Sequence, residues 1–351
     1  MARSKRKSQS ARPTRNGFIL VLALGAAVSV FSVAWYRPAL RPVDPTASKT
    51  QLVKIDKGSS GWATICLLKR EGIIRSELAA WLYAIGFGQL RRFKAGYYDL
   101  SPALSTCEIL KTIADGKVAQ RRVVVTPGLR LTQIADRVAA SGLTSREDFL
   151  AAAIATNYVS EIDMPLPEGR TLEGYLFPAT YTFAFGTPAR EIVRRMVQAF
   201  YDSFYKPYAQ EIVHRGSSLH ELVTMASLVE GEAARDSERP IIAGVLYNRL
   251  RKGMRLQCDA TVQYALGRHK PRLFFRDLKV ESPYNTYLHD GLPPGPIGSP
   301  GLASLLAALR PAKHDYLFYV AKGGGYHQFT RTYAEHQQAI ARIRSEKRRP
   351  L

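Results

Sequence analysis

The chain has 351 residues and carries 50 lysines and arginines against 29 aspartates and glutamates, a formal net charge of +21. This length permits two domains, or one large domain with an appendage. The positive charge favours anionic partners such as nucleic acid, phospholipid headgroups or an acidic wall polymer. Three scattered cysteines define no disulfide framework. They are unpaired thiols, or Cys66 and Cys107 form one bridge.

An uncharged apolar segment at residues 17–36 decides among these partners. A helix rises about 1.5 Å per residue, so this segment is long enough to cross a hydrocarbon layer of roughly 30 Å. Basic residues precede it, and no acidic residue occurs before Asp44. The positive-inside rule then predicts a cytoplasmic tail at 1–16, one pass through the inner (plasma) membrane at 17–36, and an extracytoplasmic remainder. That topology makes membrane lipid a partner and removes nucleic acid; a cleaved signal peptide is the alternative.

The rest of the chain mixes strands and helices, which predicts an α+β fold. Prolines make residues 37–50 an extended linker. Residues 51–119 have the pattern of a small α+β module, with strands predicted at 51–55 and 93–100 and helices at 62–70, 75–85 and 105–115. Residues 120–351 predict a mixed α/β domain. Its predicted elements are strands at 121–125, 316–321 and 327–330 and helices at 131–140, 147–156, 188–205, 220–234, 238–252 and 333–347.

One carboxylate stands on the apolar face of the predicted helix 220–234. Glu232 follows Val229 by three residues and Met225 by seven, and this spacing places all three on one helix face. Removal from water disfavours the charged form of a carboxyl group, so we expect this acid to keep its proton near neutral pH. A general acid needs this property. The alternative is that the apolar face ends at Val229 and Glu232 is solvated in the last turn.

Three stretches of the second domain are rich in glycine, proline, amide and aromatic residues: 172–181, 254–264 and 282–301. Amides and tyrosines on loops braced by proline commonly line a groove for a sugar chain, because sugar hydroxyls need paired donors and acceptors while sugar faces stack on aromatic rings. The alternative is that the prolines only form turns and the tyrosines only pack. The stretches predict a glycan-binding groove around the helix that carries Glu232.

A family resemblance is carried by three runs: TMASLVEGEAARDSERPIIAGVLYNRLRKGMRLQCDATVQYALG, SPYNTYLHDGLPPGPIGSPG and AALRPAKHDYLFYVAKGGGYHQF. Together they resemble the signature of the YceG-like (MltG) endolytic murein transglycosylases. The similarity extends back through LEGYLFPATYTF to RFKAGYYDL, which resembles the family's LysM-like module. It covers about residues 51–345 and implies a membrane-anchored enzyme whose catalytic domain, 120–351, lies outside the membrane.

The resemblance implies roles for individual residues. Glu232 matches the second acid of the family's V/I-E-x-E motif and is implied as the catalytic residue. Glu230 matches the first acid, and because residues two apart on a helix point about 200° from each other, it cannot face Glu232. We therefore expect Glu230, and likewise Asn248, to support the site without contacting substrate. Substrate contacts are implied for Glu173, Gln257, Asp259, Tyr284, Asn285 and Tyr287.

The implied reaction cleaves the β-1,4 bond between N-acetylmuramic acid and N-acetylglucosamine within nascent peptidoglycan strands, leaves a 1,6-anhydro end, and thereby terminates strand elongation. Most glycosidases need two carboxyls; here the sugar's own C6 hydroxyl replaces water, so one acid serves. Peptidoglycan synthases (penicillin-binding proteins) are implied partners. No metal or cofactor is expected, because the histidines lack ligand-like spacing.

Two positions depart from the family pattern: Ala233, where some members carry threonine, and Cys258, where threonine is often found. Cys258 is expected to perturb a loop that lines the groove. The alternative function is that of a non-catalytic, membrane-anchored peptidoglycan-binding protein.

Overall fold

The structure is a computed structural model that describes residues 15–167, 169–268 and 270–348. The chain divides into two compact units, Met1–Gln120 and Arg121–Leu351. Most of the predicted cytoplasmic tail, residues 1–14, lies outside the described residues.

The first unit begins with an apolar helix. Helix α1 (Arg15–Phe31) continues through a π-helical turn, Ser32–Tyr36, into a short α2 (Arg37–Ala39). The segment Leu22–Ala39 is long and apolar enough to cross a membrane, and none of it is buried inside the protein. Its apolar side chains therefore have no protein core to pack against. A helix of this kind, near the N-terminus, serves as a membrane anchor or as a signal sequence.

The small module that follows has the order strand, helix, helix, strand, helix. The elements are β1 (Gln51–Ile55), α3 (Gly61–Arg70), α4 (Glu77–Gly86), β2 (Gly96–Leu100) and α5 (Thr106–Asp115). Strands β1 and β2 pair antiparallel with Val53 opposite Tyr98, and both side chains are buried. Serines 60, 76 and 105 cap the three helices by accepting a backbone N–H of the first turn. Cys66 and Cys107 are unpaired.

The second unit contains two small two-stranded sheets and most of the helices. Strand β3 (Gln120–Val124) pairs with β4 (Thr180–Ala184), and β5 (Phe318–Gly323) forms an antiparallel hairpin with β6 (Tyr326–Thr330). The helices are α6 (Leu131–Ala140), α7 (Arg146–Ala152), α8 (Ala189–Phe200), α9 (Lys206–Arg215), α10 (Leu219–Glu232), α11 (Arg239–Arg251), α12 (Asp259–Ala265), α13 (Leu302–Leu309) and α14 (Tyr333–Arg348).

The mixed α and β character predicted from the sequence is confirmed, and three helices were missed. Helix α9 follows a π-helical turn, Tyr201–Tyr205, and has proline in its first turn, where proline is tolerated. Helix α12 falls inside the predicted groove stretch 254–264 and has no side-chain cap to mark its start. Helix α13 reads LASLLAAL, so it lacks the polar face that identifies a surface helix.

Helix α10 lies at the centre of the second unit. Every residue from Leu222 to Val229 is buried, including the polar Thr224 and Ser227. The helix packs against α11, α12 and α13. Its first turn is closed by a reciprocal capping box between Ser218 and Glu221. A helix buried on all sides brings its last turn into the protein interior, and that turn carries Glu232.

Candidate active site

Glu232 is the last residue of α10 and is partly exposed, whereas Met225 and Val229 on the same helix face are fully buried. Its side chain lines two cavities, one of about 240 Å³ and one of about 300 Å³. The carboxyl group is thus withdrawn from bulk water but still reachable by a ligand. This position does not fit the alternative of a freely solvated acid in the last helical turn.

The two cavities adjoin at a pair of acidic residues, because Glu232 and Asp259 line both. The other residues of the first cavity are Arg249, Leu256, Gln257, Tyr287, Tyr319 and His336. The other residues of the second cavity are Gly128, Arg130, Ser227, Gly231, Ala260, Gln263, Ile297 and Gly298. A chain-like ligand that occupied both cavities would therefore pass directly over Glu232.

Two hydrogen bonds fix the Glu232 carboxyl group. The Tyr319 hydroxyl, on strand β5, donates to Oε2 at 3.0 Å. The backbone N–H of Ala260, in the first turn of α12, donates to Oε1 at 3.4 Å. The approach of α12 depends on Gly231, since a Cβ atom there would stand 2.6 Å from Cβ of Ala260. No side chain larger than hydrogen fits at this contact without a shift.

The surroundings of Glu232 favour its protonated form. Burial raises the pKa of the Glu232 carboxyl group, and the negative charge of Asp259 raises it further. The Tyr319 hydroxyl, the Ala260 N–H and the His327 ring act in the opposite direction, but the net pKa is raised. Position at a helix C-terminus, where the helix dipole is negative, also disfavours a carboxylate. Burial raises the pKa of Tyr319 as well, so its hydroxyl stays a donor.

Three of the predicted substrate-binding residues lie in the first cavity with Glu232: Gln257, Asp259 and Tyr287. The Tyr287 hydroxyl donates to Oδ1 of Asp259 at 2.6 Å. Gln257 has a backbone φ of +52°, a left-handed conformation that is uncommon for residues other than glycine. Its N–H donates to the carbonyl of Thr286 at 3.1 Å. The strained backbone and the Asp259–Tyr287 pair give this wall of the cavity a fixed arrangement of polar groups.

Comparison with known proteins identifies the family of the chain. The model of the YceG-like family matches residues 53–342. The chain belongs to the YceG-like family. An endolytic murein transglycosylase of Bacillus subtilis is 37% identical over 321 residues, which cover 88% of this chain and 89% of the relative. A Streptococcus pneumoniae protein of the same name is 31% identical over 332 residues, 87% of this chain and 60% of the longer relative.

A solved structure extends the family comparison to the fold. A YceG-like protein of Listeria monocytogenes, whose crystal structure was determined at 2.6 Å, aligns with a TM-score of 0.56 and 39% sequence identity. The alignment covers 83% of this chain and 100% of the Listeria chain.

In the present chain, two other predicted substrate-binding residues, Asn285 and Tyr284, line neither cavity. Asn285 is fully buried; its Nδ2 donates to the carbonyls of Leu278 and Val280 at 2.9 Å each, and its Oδ1 accepts the N–H of Tyr287 at 3.0 Å. Asn285 therefore braces the loop that carries Tyr287 and presents no free polar group to a sugar. Tyr284 is half-buried and packs its ring 4.7 Å from that of Tyr264.

Glu173, which was also predicted to contact substrate, lines neither cavity. It is only 8% exposed, and it accepts the N–H of Leu131 at 2.9 Å and the hydroxyl of Tyr264 at 3.3 Å. Burial raises the pKa of Glu173 to about 7, although these two hydrogen bonds and the nearby Arg130 guanidinium oppose the rise. Glu173 holds the start of α6 behind Arg130, which itself lines the second cavity.

Glu230 and Asn248 make the kind of internal contacts expected of supporting residues. Oε2 of Glu230 accepts the N–H of Gly301 at 2.9 Å and the hydroxyl of Ser304 at 2.8 Å, where α13 begins. Nδ2 of Asn248 donates to the carbonyls of His314 and Tyr316 at 2.7 and 3.0 Å. Neither residue lines a cavity that contains Glu232.

Sequence reasoning assigned no role to four residues of the first cavity, Arg249, Leu256, Tyr319 and His336. Tyr319 lies in a predicted strand, and no spacing rule connects it with Glu232. Arg249 is 8% exposed; it donates through Nε to the carbonyl of Leu317 at 2.7 Å and through Nη1 to that of Leu256 at 2.8 Å. Arg249 thereby joins the segments that lead to Gln257 and Tyr319. The only available signal was a basic residue within the apolar pattern of α11.

Cys258, a departure from the family pattern, lines neither cavity, although its thiol lies close to Tyr319 and Glu232. The residue is fully buried, and its backbone N–H donates to the Thr286 hydroxyl at 3.0 Å. Burial raises the pKa of the Cys258 thiol well above its usual value, so the side chain is a neutral, packed group. Cys258 therefore belongs to the packed interior next to the site.

Replacing Glu232 by glutamine should stabilise the protein in a pH-dependent way. A carboxyl group whose pKa is raised by folding lowers stability as the pH rises above the unfolded value of about 4.3, and glutamine removes this cost. We expect Glu232→Gln to match the wild type in melting temperature near that pH and to exceed it at pH 7. For a domain of this size, roughly 1 kcal/mol corresponds to about 2–4 °C. Thermal unfolding at both pH values measures the effect.

The matched control is Glu281→Gln, because Glu281 is exposed. Its melting temperature should follow that of the wild type at both pH values. A loss of stability in Glu232→Gln that is equal at the two pH values would contradict the raised pKa.

Proposed function

We propose that this protein is an endolytic murein transglycosylase with Glu232 as its single catalytic acid. The observation that carries the proposal is the Glu232 carboxyl group itself, which has a raised pKa and lines two adjoining cavities. The names of the Bacillus subtilis and Streptococcus pneumoniae relatives support the same activity. The substrate is the glycan strand of peptidoglycan.

In the first step, protonated Glu232 donates its proton to the oxygen that bridges N-acetylmuramic acid and N-acetylglucosamine. The bond between this oxygen and C1 of the muramic residue breaks, and positive charge develops at C1. The carboxylate of Asp259, held by Tyr287 at the junction of the cavities, is well suited to stabilise that charge. Such preorganised groups are needed because proton transfer alone typically supplies roughly 10²- to 10⁴-fold acceleration.

In the second step, the Glu232 carboxylate takes the proton from the C6 hydroxyl of the same sugar. The C6 oxygen bonds to C1, which closes the 1,6-anhydro ring and regenerates the protonated acid. No water is consumed, and no second catalytic carboxyl is required to activate water. The Tyr319 hydroxyl holds the Glu232 carboxyl in position through both transfers.

Internal cleavage requires sugar units on both sides of the broken bond. The two cavities, which share Glu232 and Asp259 in their walls, would supply this space. In the first cavity Gln257, Asp259 and Tyr287 contact the glycan. In the second, the Arg130 guanidinium offers N–H groups to the sugars beyond the bond. The cavities together form the proposed glycan-binding groove.

The proposal also puts this chemistry at the membrane, and it does so through the remaining parts of the chain. We assign 1–16 as a cytoplasmic tail, 17–36 as a single inner (plasma) membrane helix, 37–50 as a linker, 51–119 as a LysM-like glycan-binding module and 120–351 as the extracytoplasmic catalytic domain. The apolar N-terminal helix supports the anchor, and the order β1, α3, α4, β2 supports the module. Cleavage beside peptidoglycan synthases would terminate strand elongation.

Glu232→Gln should remove product formation and leave glycan binding intact. Full-length protein in detergent is incubated with purified peptidoglycan, and soluble fragments are analysed by mass spectrometry. The wild type should release fragments whose ends weigh one water less than hydrolysed ends. The variant should release them at a rate roughly 10²- to 10⁴-fold lower, yet sediment with peptidoglycan like the wild type.

Glu281→Gln serves as the control and should match the wild type in both assays. Equal release by wild type and Glu232→Gln would rule out the assignment of the acid. Binding by all variants with no anhydro product from any of them would favour the non-catalytic, peptidoglycan-binding alternative.

Two substitutions beside Glu232 should move the pH profile in opposite directions. The Tyr319 hydrogen bond lowers the pKa of Glu232 and the Asp259 charge raises it. Tyr319→Phe should therefore move the alkaline limb of kcat/KM to higher pH, because the acid keeps its proton longer, and Asp259→Asn should move it to lower pH. Initial rates of anhydro-product release across pH measure both. Shifts of the same sign, or none, would show that Glu232 does not set this limb.

A further inference from the structure

Helix α4 of the first unit exposes an apolar face to its surroundings. Leu78, Leu82 and Ile85 recur at the spacing of one helix face and are 51%, 40% and 47% exposed. Trp62 on α3 is 47% exposed, and its ring lies 6.2 Å from that of Trp81 on α4. We call Leu78, Leu82, Ile85 and Trp62 the α4 surface. Clustered large apolar side chains of this kind mark an interaction site, whereas scattered ones do not.

The α4 surface belongs to a module that is tied to the end of the apolar N-terminal helix. The N–H of Thr106, at the start of α5, donates to the carbonyl of Leu40 at 3.0 Å. The Arg75 guanidinium, just before α4, donates to the carbonyls of Pro42 and Val43 at 2.7 and 3.0 Å. The chain therefore leaves the apolar helix and is fixed at once to the segments around α4.

Side-chain proximity gives the same placement independently. Tyr36, near the end of the apolar helix, lies close enough to Cys107 of α5 and to Tyr83 of α4 for their ionisations at alkaline pH to influence one another. Helix α4 consequently lies close to the level at which the apolar helix ends. If that helix spans the bilayer, α4 is at the outer interface.

We propose that the α4 surface docks onto the outer leaflet of the bilayer that holds the anchor; this inference rests on the proposed anchoring. The bilayer is the favoured occupant because the tether places it next to this surface. An aromatic ring such as that of Trp62 is suited to the interfacial layer. Arg91, Arg92 and Lys94 follow α4 and are exposed, which complements anionic phospholipid headgroups.

The consequence is a fixed orientation of the first unit. A single helix with the module fixed to its end would leave the two free to turn together about the helix axis. A second contact through four apolar side chains would hold the module flat against the membrane, close to the surface from which new glycan strands emerge.

The three tryptophans allow a direct test in the full chain. One variant keeps only Trp62 (Trp35→Phe and Trp81→Phe), and another keeps only Trp35 (Trp62→Phe and Trp81→Phe). Each is placed, one copy per disc, in lipid nanodiscs containing phosphatidylglycerol, with or without bromine on the acyl chains near the headgroup. Bromine quenches tryptophan emission at short range.

Trp62 should lose roughly half of its emission in the brominated discs, as expected for a side chain about 5–10 Å into the headgroup and acyl boundary. Adding Leu82→Ser and Ile85→Ser to the Trp62 variant should abolish this quenching. Val213→Ser should leave it unchanged, because Val213 is an apolar residue of the second unit that is even more exposed, at 72%. Circular dichroism confirms that the serine variants fold.

The Trp35 variant separates the two proposals. Quenching of Trp35 without quenching of Trp62 would overturn the docking while the anchor stands, and quenching of neither would overturn the anchor. Quenching of Trp62 that persists in the serine variants would show that the tether alone brings it near lipid. Protection of Trp62 from water-soluble iodide only in discs with two copies would identify a second copy as the occupant, and would also overturn the docking.

Discussion

The site depends on one constraint: a carboxyl group must be kept out of bulk water and still meet a ligand. Helix α10 satisfies this because it is buried on all sides until its last turn, where Glu232 reaches two cavities. Desolvation raises the pKa of that carboxyl group, and only Tyr319 and Ala260 donate hydrogen bonds to it among the described residues. Additional hydrogen-bond donors would lower the pKa of Glu232, so that the group would be a carboxylate near neutral pH and could not donate a proton.

The same helix organises the walls around Glu232. The Ser227 hydroxyl accepts the N–H of Ile297 at 3.1 Å, and Glu230 accepts that of Gly301, so α10 holds the last part of the stretch 282–301 at two points. Arg249 on α11 joins the opposite wall through carbonyls of two segments. Each polar side chain satisfies backbone groups of a segment with little regular structure. The rigidity of the cavities thus comes from buried side chains on helices.

Sequence reasoning succeeded where the signal was local. The predicted bounds of α6 agree with the structure, and the predicted helix that carries Met225, Val229 and Glu232 is present as α10; the catalytic role of Glu232 stays a prediction. It failed where long-range packing decides. Asn285 and Glu173 are polar residues in groove-like stretches, but their hydrogen bonds turn inward to Val280 and Leu131.

Tyr319 illustrates the opposite failure, because its role arises only when β5 folds beside the end of α10. Nothing in the local pattern distinguishes it from other tyrosines in strands. Helix α13 was missed since its residues are apolar apart from the buried Ser304, which leaves no alternation of polar and apolar faces to detect. Spacing along a helix can indicate a withdrawn acid, but the donors and neighbours that set its pKa come from distant parts of the chain.

The most direct measurement is the titration of the Glu232 carboxyl group itself. Protein labelled with ¹³C at the glutamate side-chain carboxyl is followed by NMR across pH, and the Glu232 resonance is assigned by its absence in Glu232→Gln. The account predicts a midpoint well above the ordinary glutamate value of about 4.3. A midpoint at or below that value would mean that the group is a carboxylate near neutral pH, and the proposed acid catalysis would be wrong.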